Sequence, residues 1–326
     1  MKTRTLSIVL AVVMVFTLIP SFAFADDEPL TGLQEIDGNY YYYDESGNMV
    51  KSEFVNVGKS LYYFAKDGKA VSGKNKISGT WYFFDEKNCT AAKKGWVSDK
   101  TMYSVGSGKL AIGPRKIGKK VYFFGKSGVL RTKKGFFEYE GDEYYSNSSG
   151  TLKTGYHALT RSGKLNGYYF YKDTGKMAKD TKIGHLYIPK SGKLKKAYAY
   201  GIRRLNKNGW TLRKAYNYSA GLRYYDRWYR KKTSEGYAIR GFTQHRGNCF
   251  VMAATFYIQA KLLGYNVRQM KGKVSYRYPH SWTVIKQDGK WYVYDPCFTN
   301  EHRKNGFKIY YGKKGTWRYT NKKRMN

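Results

Sequence analysis

The sequence predicts an all-β solenoid of stacked hairpins followed by an α+β domain, and three observations carry that prediction. From about residue 32 to residue 200 a cluster of aromatic residues recurs a few positions ahead of a glycine, at intervals such as 21 residues from Gly47 to Gly68 and 20 from Gly108 to Gly128. Fixed periods of this size mark a repeat array. The repetition stops around residues 201–211, where the composition shifts towards lysine and arginine. Beyond that point apolar residues recur first at helical steps and then in short strand-like runs.

The N-terminus comes first in the chain and sets the compartment. Lys2 and Arg4 precede an apolar run over residues 6–19, then Pro20 and the small-residue pattern Ala23-Phe24-Ala25, after which Asp26-Asp27 turns acidic. This pattern predicts a secretory signal peptide over residues 1–25, cleaved after Ala25. The apolar run is short against the roughly 20 residues that a membrane-spanning helix needs. A secreted chain with no later hydrophobic segment and no sorting tail is expected to be retained at a surface without a covalent bond. Three cysteines, Cys89, Cys249 and Cys297, do not make a disulfide framework for a secreted chain of 326 residues, so at least one thiol is left free or is paired between molecules.

Residues 26–205 are assigned to the repeats. Typical copies are Tyr62-Tyr63-Phe64 with Gly68, Tyr122-Phe123-Phe124 with Gly128 and Leu186-Tyr187 with Gly192. An aromatic strand next to Asp67-Gly68 or Ser127-Gly128 predicts a hairpin turn there, because glycine tolerates the positive φ of tight turns. A lone hairpin cannot bury an aromatic face, whereas stacked neighbours can. Units such as Ile117-Gly118-Lys119-Lys120-Val121-Tyr122-Phe123-Phe124-Gly125-Lys126-Ser127-Gly128 resemble the cell-wall-binding repeats of bacterial surface proteins, the group that holds choline-binding and glucan-binding modules. The resemblance implies ligand pockets formed by aromatics of adjacent hairpins, through cation-π contact or sugar stacking. The candidates are Tyr42, Tyr63, Trp81, Trp96, Tyr122, Tyr145 and Tyr169, with most of the other aromatics filling the solenoid core.

Charge narrows the partners. The net charge is +37, and residues 201–326 hold 28 Lys plus Arg against 5 Asp plus Glu. A surface of that sign seeks polyanions. For a secreted chain with wall-binding repeats the expected partner is an anionic or choline-bearing wall polymer such as a teichoic acid, or a glucan, and not a nucleic acid.

Residues 206–326 form the second part. Leu212, Ala215, Tyr218, Leu222, Tyr225 and Tyr229 recur at helical spacing and predict a helix over 212–232. A second helix is predicted to begin at Cys249, with Phe250, Val251, Ala254, Ile258 and Leu262 as its buried stripe, ending at Leu263-Gly264. Strands follow over 266–270, 282–286, 290–294 and 307–311, with a hairpin turn at Asp288-Gly289. Helices first and antiparallel strands afterwards describe an α+β domain.

This arrangement gives Cys249 a place where its chemistry changes. The unpaired N–H groups of a helix N-terminus favour a thiolate, and Gly247 and Arg246 add close approach and charge. His280 and Asp295 lie at ends of neighbouring strands that antiparallel pairing across Asp288-Gly289 brings side by side, close enough for the carboxylate to hold the imidazole tautomer. The Cys249 backbone N–H, with Gln244 or Tyr237 as side-chain helpers, is the candidate oxyanion site. His245 lies on the approach to the helix, where Asp295 cannot easily orient it; His302, His157 and His185 are expected at the surface or in turns, Cys297 in packing with a redox-sensitive pairing to Cys249 as the alternative, and Cys89 in a repeat turn.

Gly247-Asn248-Cys249 opening an apolar helix, then His280-Ser281-Trp282 and Trp291-Tyr292-Val293-Tyr294-Asp295-Pro296, resembles the transglutaminase-like superfamily of papain-type cysteine enzymes, over about residues 216–311. The resemblance implies Cys249 as nucleophile, His280 as base and Asp295 as its orienting acid. It further implies a thioester formed from a protein or peptide substrate, at a peptide or glutamine amide. A protease, an amidase or a transglutaminase would all fit. The other class is a non-catalytic adhesin with a degenerate domain. No metal-ligand spacing and no phosphate-cradling loop occurs, so no metal and no cofactor is expected.

Overall fold

A computed structural model describes residues 29–226, 233–275 and 278–325, and the predicted signal peptide lies outside them. The described residues form two compact units, one running to residue 75 with 83–91, the other made of 76–82 and 92 onward.

Antiparallel hairpins succeed one another through the repeats. In the first unit Gly32–Ile36 pairs with Asn39–Tyr43 and Glu53–Val57 with Ser60–Phe64. In the second, Gly113–Ile117 pairs with Lys120–Phe124, Gly135–Tyr139 with Asp142–Ser146, Gly155–Arg161 with Lys164–Phe170, and Thr181–Ile183 with Leu186–Ile188. The aromatic strand is the second of each pair, so the hairpin turn precedes it. The turns predicted at Asp67-Gly68 and Ser127-Gly128 do something else: they fold the chain back by a single bridge, Phe64 to Ala70 and Phe124 to Leu130.

Those bridging residues make the step from one repeat to the next. The N–H of Ala70 donates to Tyr40 O, that of Leu130 to Thr101 O, that of Leu152 to Val121 O and that of Met177 to Glu143 O. Each repeat thus borrows one backbone bond from its predecessor. The glycine period has the same origin: Gly150 has φ +75°, and a Cβ there would come within 2.5 Å of Leu130 Cγ from the preceding repeat. Phe64, Phe84, Phe124, Tyr168 and Phe170 are fully buried along the array.

No linker separates the last repeats from the helices. Helix α1, Lys196–Asn208, begins within the stretch read as repeats, and Ile188 and Leu194 share one apolar core with Ile202, Leu205 and the helices that follow. Helix α2 is Leu212–Ala220, shorter than the helix predicted over 212–232. It stops because Gly221 follows it and because Asn300 Nδ2 donates to Ala220 O and Leu222 O at 2.6 and 3.0 Å, taking the carbonyls that another turn would use. Residues 227–232 of that prediction lie outside the described residues.

Helix α3, Ser234–Gln244, which the periodicity did not reveal, starts on Thr233, whose hydroxyl accepts from Gly236 N. Helix α4, Cys249–Leu262, starts on Asn248, whose side chain accepts from Val251 N. It is buried on nearly every side rather than along one stripe, because it packs against all four other helices and three strands.

An antiparallel sheet closes the fold, in the order Lys290–Tyr294, Tyr278–Gln287, Asn266–Val274, Tyr319–Arg324. The turn at Asp288-Gly289 is present, with φ +49° and +77°. The segment predicted as a strand over 307–311 contributes one bridge, Ile309 to Val293, because Lys308 takes φ +54° and breaks the extension. The strand that completes the sheet is Tyr319–Arg324, beside Asn266–Val274. Helix α5, Pro296–His302, intervenes; Asp295 followed by Pro296 is a cap and first-turn signature that could have revealed it.

Candidate functional site

Cys249 is the first residue of α4, and the loop before it is held tightly. Gly247 pairs in parallel with Tyr224, and a Cβ on Gly247 would lie 2.4 Å from Val251 Cβ in the first helical turn. Only glycine lets the chain enter α4 at this angle. Gly247→Ala is expected to cost about 1–3 kcal/mol of stability through overpacking, read as a lower urea midpoint with an unchanged slope; an unchanged midpoint would show that the loop yields freely.

His280 is the third residue of strand Tyr278–Gln287, and Asp295 directly follows strand Lys290–Tyr294. With Thr283 opposite Tyr294, the two side chains meet across the hairpin: His280 Nε2 lies 2.7 Å from Asp295 Oδ2. Cys249, His280 and Asp295 are 8%, 3% and 0% exposed, so this is a nearly dry cluster. Trp317 stands edge-on to the imidazole at 4.4 Å and screens it further.

The carboxylate is held from every side. Asp295 Oδ2 also accepts from Tyr319 OH at 2.8 Å, while Oδ1 accepts from Phe298 N at 3.1 Å and caps α5. The Asp295 carbonyl accepts from Tyr216 OH at 2.8 Å. Neither tyrosine was recognised in the sequence, because nothing local marks a residue 79 or 24 positions away as a partner. Burial and the Asp295 charge push the Tyr319 phenol far upward, so it stays a donor.

Electrostatics favour an ion pair. A hydrogen bond from the Cys297 thiol, against the penalty of burial, and then hydrogen bonding and charge from His280 with the Ser281 N–H lower the Cys249 thiol to about 5. Burial alone would lower His280; the Asp295 charge and hydrogen bond, helped by Cys249, overcome it and raise the imidazole to about 10. Cys297 moves the other way, well above the ordinary thiol range, because it donates to Cys249, is buried and sits among negative charges. Cys297 therefore does more than pack: it is the second sulfur of the cluster.

The cluster opens into a cavity of about 520 Å³ lined by Tyr224, Asp226, Asn248, Cys249, Tyr278, His280, Glu301, His302 and Trp317, among others. His302, expected at the surface or in a turn, forms part of this wall from the last turn of α5. The proposed oxyanion helpers do not reach it. Gln244 is exposed at the end of α3, and Tyr237 is buried with its ring 5.5 Å from Phe250; neither lines the cavity. The groups that do face it are Asn248 and the first N–H groups of α4. His245 ends α3 in left-handed conformation, 2.9 Å from Tyr218 OH and away from the cavity.

The wall-ligand candidates share one property: all are half-buried, flanking the fully buried aromatic core. Tyr42 lies 6.0 Å from Phe64, Tyr63 packs on Phe54 at 4.7 Å, and Lys76 Nζ stands over Trp81 at 5.9 Å. Trp96 meets Tyr103 of its own hairpin and Tyr122 of the next edge-on, at 5.5 and 5.0 Å. Tyr145 packs on Phe136 and Tyr169 on Tyr156 at 4.9 and 4.8 Å. Cys89 occupies a repeat turn with φ +55°. No helix among the described residues is long and apolar enough to cross a membrane.

Two repeat families match the chain: "Choline-binding repeat" over residues 30–74 and "Putative cell wall binding repeat" over residues 75–87. No curated protein matches it. Among solved structures, CbpJ of Streptococcus pneumoniae is 23% identical with a TM-score of 0.36, over 51% of this chain and 58% of that one. Choline-binding protein F of Streptococcus pneumoniae, with a peptidoglycan analogue, is 25% identical with a TM-score of 0.24, over 51% and 47%. The choline-binding domain of CbpL from Streptococcus pneumoniae is 27% identical with a TM-score of 0.37, over 51% and 87%. The chain thus spans about half the length of the first two. The matched residues lie in the N-terminal hairpins, with residues 30–74 similar to choline-binding repeats and residues 75–87 to putative cell wall binding repeats.

Proposed function

We propose that the chain is a wall-attached cysteine enzyme: the repeats hold choline-bearing wall polymer, and Cys249 forms a thioester with a peptide or glutamine amide. The observation that carries the enzymatic half is the buried Cys249, His280 and Asp295 cluster, with the thiol lowered to about 5, opening into a cavity. Cys249 Sγ attacks the amide carbonyl, the tetrahedral oxygen faces the α4 N-terminus, and the C–N bond breaks as the His280 imidazolium protonates the leaving nitrogen. Water or an amine then attacks the thioester, gives its proton to His280 and releases the Cys249 thiolate. A peptidase and an amidase share water in that second step and differ in the amide that enters, whereas a transglutaminase takes an amine. For the attaching half, the three-ring arrangement of Trp96, Tyr103 and Tyr122 has the faces and edges that suit a quaternary ammonium.

A second reading is favoured by the matches themselves, which fall on the repeats: a choline-binding surface protein or adhesin whose C-terminal part does not turn over. One experiment separates the two. The mature chain and Cys249→Ala are loaded on choline-substituted resin and then supplied with wall peptides and glutamine peptides. Both proteins are expected to be retained, and only the wild type should release new termini, release ammonia or form an amine conjugate. Equal turnover by Cys249→Ala would remove the thiol mechanism. Retention without turnover by a folded wild type would establish the binding protein.

A further inference from the structure

Residues 201–326 contain only five acidic side chains, and they are unevenly placed. Asp295 orients His280, and Asp226 and Glu301 line the cavity in front of Cys249. Among the described residues, no lysine or arginine of the same region lines that cavity. Among the described residues, the charged side chains of that wall outside the His280 and Cys249 pair are both carboxylates, in a strongly basic chain. Chance placement on a +37 chain would give the opposite.

The two carboxylates are close to the chemistry. Glu301 Oε1 lies 3.1 Å from Cys297 Sγ, whose single proton serves either Glu301 or Cys249, so Glu301 is separated from the nucleophile by one thiol. Asp226 Oδ1 accepts from Tyr224 OH at 3.4 Å on the same wall. The rings of Tyr224, Tyr278 and Trp317 also face the cavity, and aromatic faces hold a cation as well as an apolar stem.

We propose that the Cys249 cavity recognises a cationic side chain, such as an alkylammonium, on the amide substrate itself, with Asp226 and Glu301 as the specificity-determining residues. This rests on the thioester reading above and names its substrate class. The cation is a handle on the acyl donor and not the attacking amine: carboxylates stabilise the protonated ammonium, which has no lone pair to attack a thioester. Salt screens the positive body within roughly 8 Å, so the contact field of the two acids governs the last step of entry. A cationic side chain would stay bound through acylation, and no proton leaves it.

The test reads the field at Cys249 directly. Cys249 is labelled at low salt with a cationic and an anionic methanethiosulfonate reagent, each rate divided by that of neutral iodoacetamide on the same protein and by the same ratio for free cysteine. The basic body alone predicts a preference for the anionic reagent; the proposal predicts a cationic preference of about 10-fold, shrinking with salt. In the double variant Asp226→Asn with Glu301→Gln the preference should collapse or invert. Anionic preference in the wild type, or an unchanged ratio in the variant, overturns the proposal while fast iodoacetamide labelling leaves the thiolate reading standing. If iodoacetamide labels Cys249 no faster than Cys89, the thiolate reading falls and the proposal with it. Matched peptide substrates carrying lysine or norleucine beside the reacting amide supply the second arm. Lysine should lower KM by about 10-fold in the wild type and not in the variant; an advantage seen only for free amines as acceptors would move the cation to the other substrate and overturn the proposal.

Discussion

His280→Ala should cut the rate of iodoacetamide labelling of Cys249 at pH 6 by about 10-fold and turnover by about 10²–10⁴-fold. The two numbers differ for a physical reason. With the thiol at about 5, most of Cys249 is thiolate at pH 6. Without the imidazolium, burial returns the thiol towards or above its usual value near 8.5, and the thiolate fraction falls by two to three orders of magnitude. A more basic thiolate is also a better nucleophile, with a Brønsted slope of about 0.4–0.5, which recovers roughly half of that loss on a logarithmic scale. Turnover has no such recovery, because the proton for the leaving nitrogen has gone with the ring. The wild-type pH profile carries the matching signature. The thiolate is lost as pH falls through about 5, and the imidazolium is lost as pH rises through about 10, so the pair and the rate persist between those limits. Single-turnover rates across pH read the two limits of the pair. Labelling of Cys249 that is unchanged in His280→Ala would mean that the helix terminus and Cys297 alone ionise the thiol.

Legibility followed the range of the interactions. The hairpin repeats were plain because their causes recur every 20 or so residues: an aromatic strand, and a glycine without room for a Cβ. The location of the turn was misread, since Asp67-Gly68 looks like a hairpin turn locally and its true role, a fold-back onto the preceding repeat, depends on a neighbour. Cys249, His280 and Asp295 could be picked out because each sits beside an element end that leaves a local signature. Gln244 and Tyr237 precede Cys249 closely in sequence, but the turn of the chain between α3 and α4 carries them away from the cavity. Tyr319, Trp317 and Glu301 went unseen because their roles exist only once Tyr319–Arg324 docks on the sheet edge and α5 folds over the site. The early end of α2 was hidden likewise, since Asn300 acts from the far end of the domain.

Asp295→Asn should lower turnover by about 10²–10⁴-fold and stability by about 1–3 kcal/mol, although the two side chains have nearly the same shape. The wild-type carboxylate accepts three hydrogen bonds, from His280 and Tyr319 on Oδ2 and from Phe298 N on Oδ1. An amide offers one acceptor oxygen and two N–H donors. With oxygen towards His280 and Tyr319, its NH₂ opposes the Phe298 N–H and the α5 cap is lost. With oxygen towards Phe298, NH₂ meets two donors in a site without water, and His280 must drop its proton or turn. Either way the imidazolium loses the charge that raises it to about 10, and the Cys249 thiol rises with it. Combining Asp295→Asn with Tyr319→Phe tells the two orientations apart. Removing the phenol relieves a donor–donor conflict only in the second, so a double-mutant cycle with a favourable coupling of about 0.5–3 kcal/mol places NH₂ beside His280. Coupling near zero places the oxygen there and assigns the stability loss to the α5 cap. A single variant that keeps turnover within about 3-fold of wild type would remove Asp295 from its orienting role, whatever the melting temperature shows.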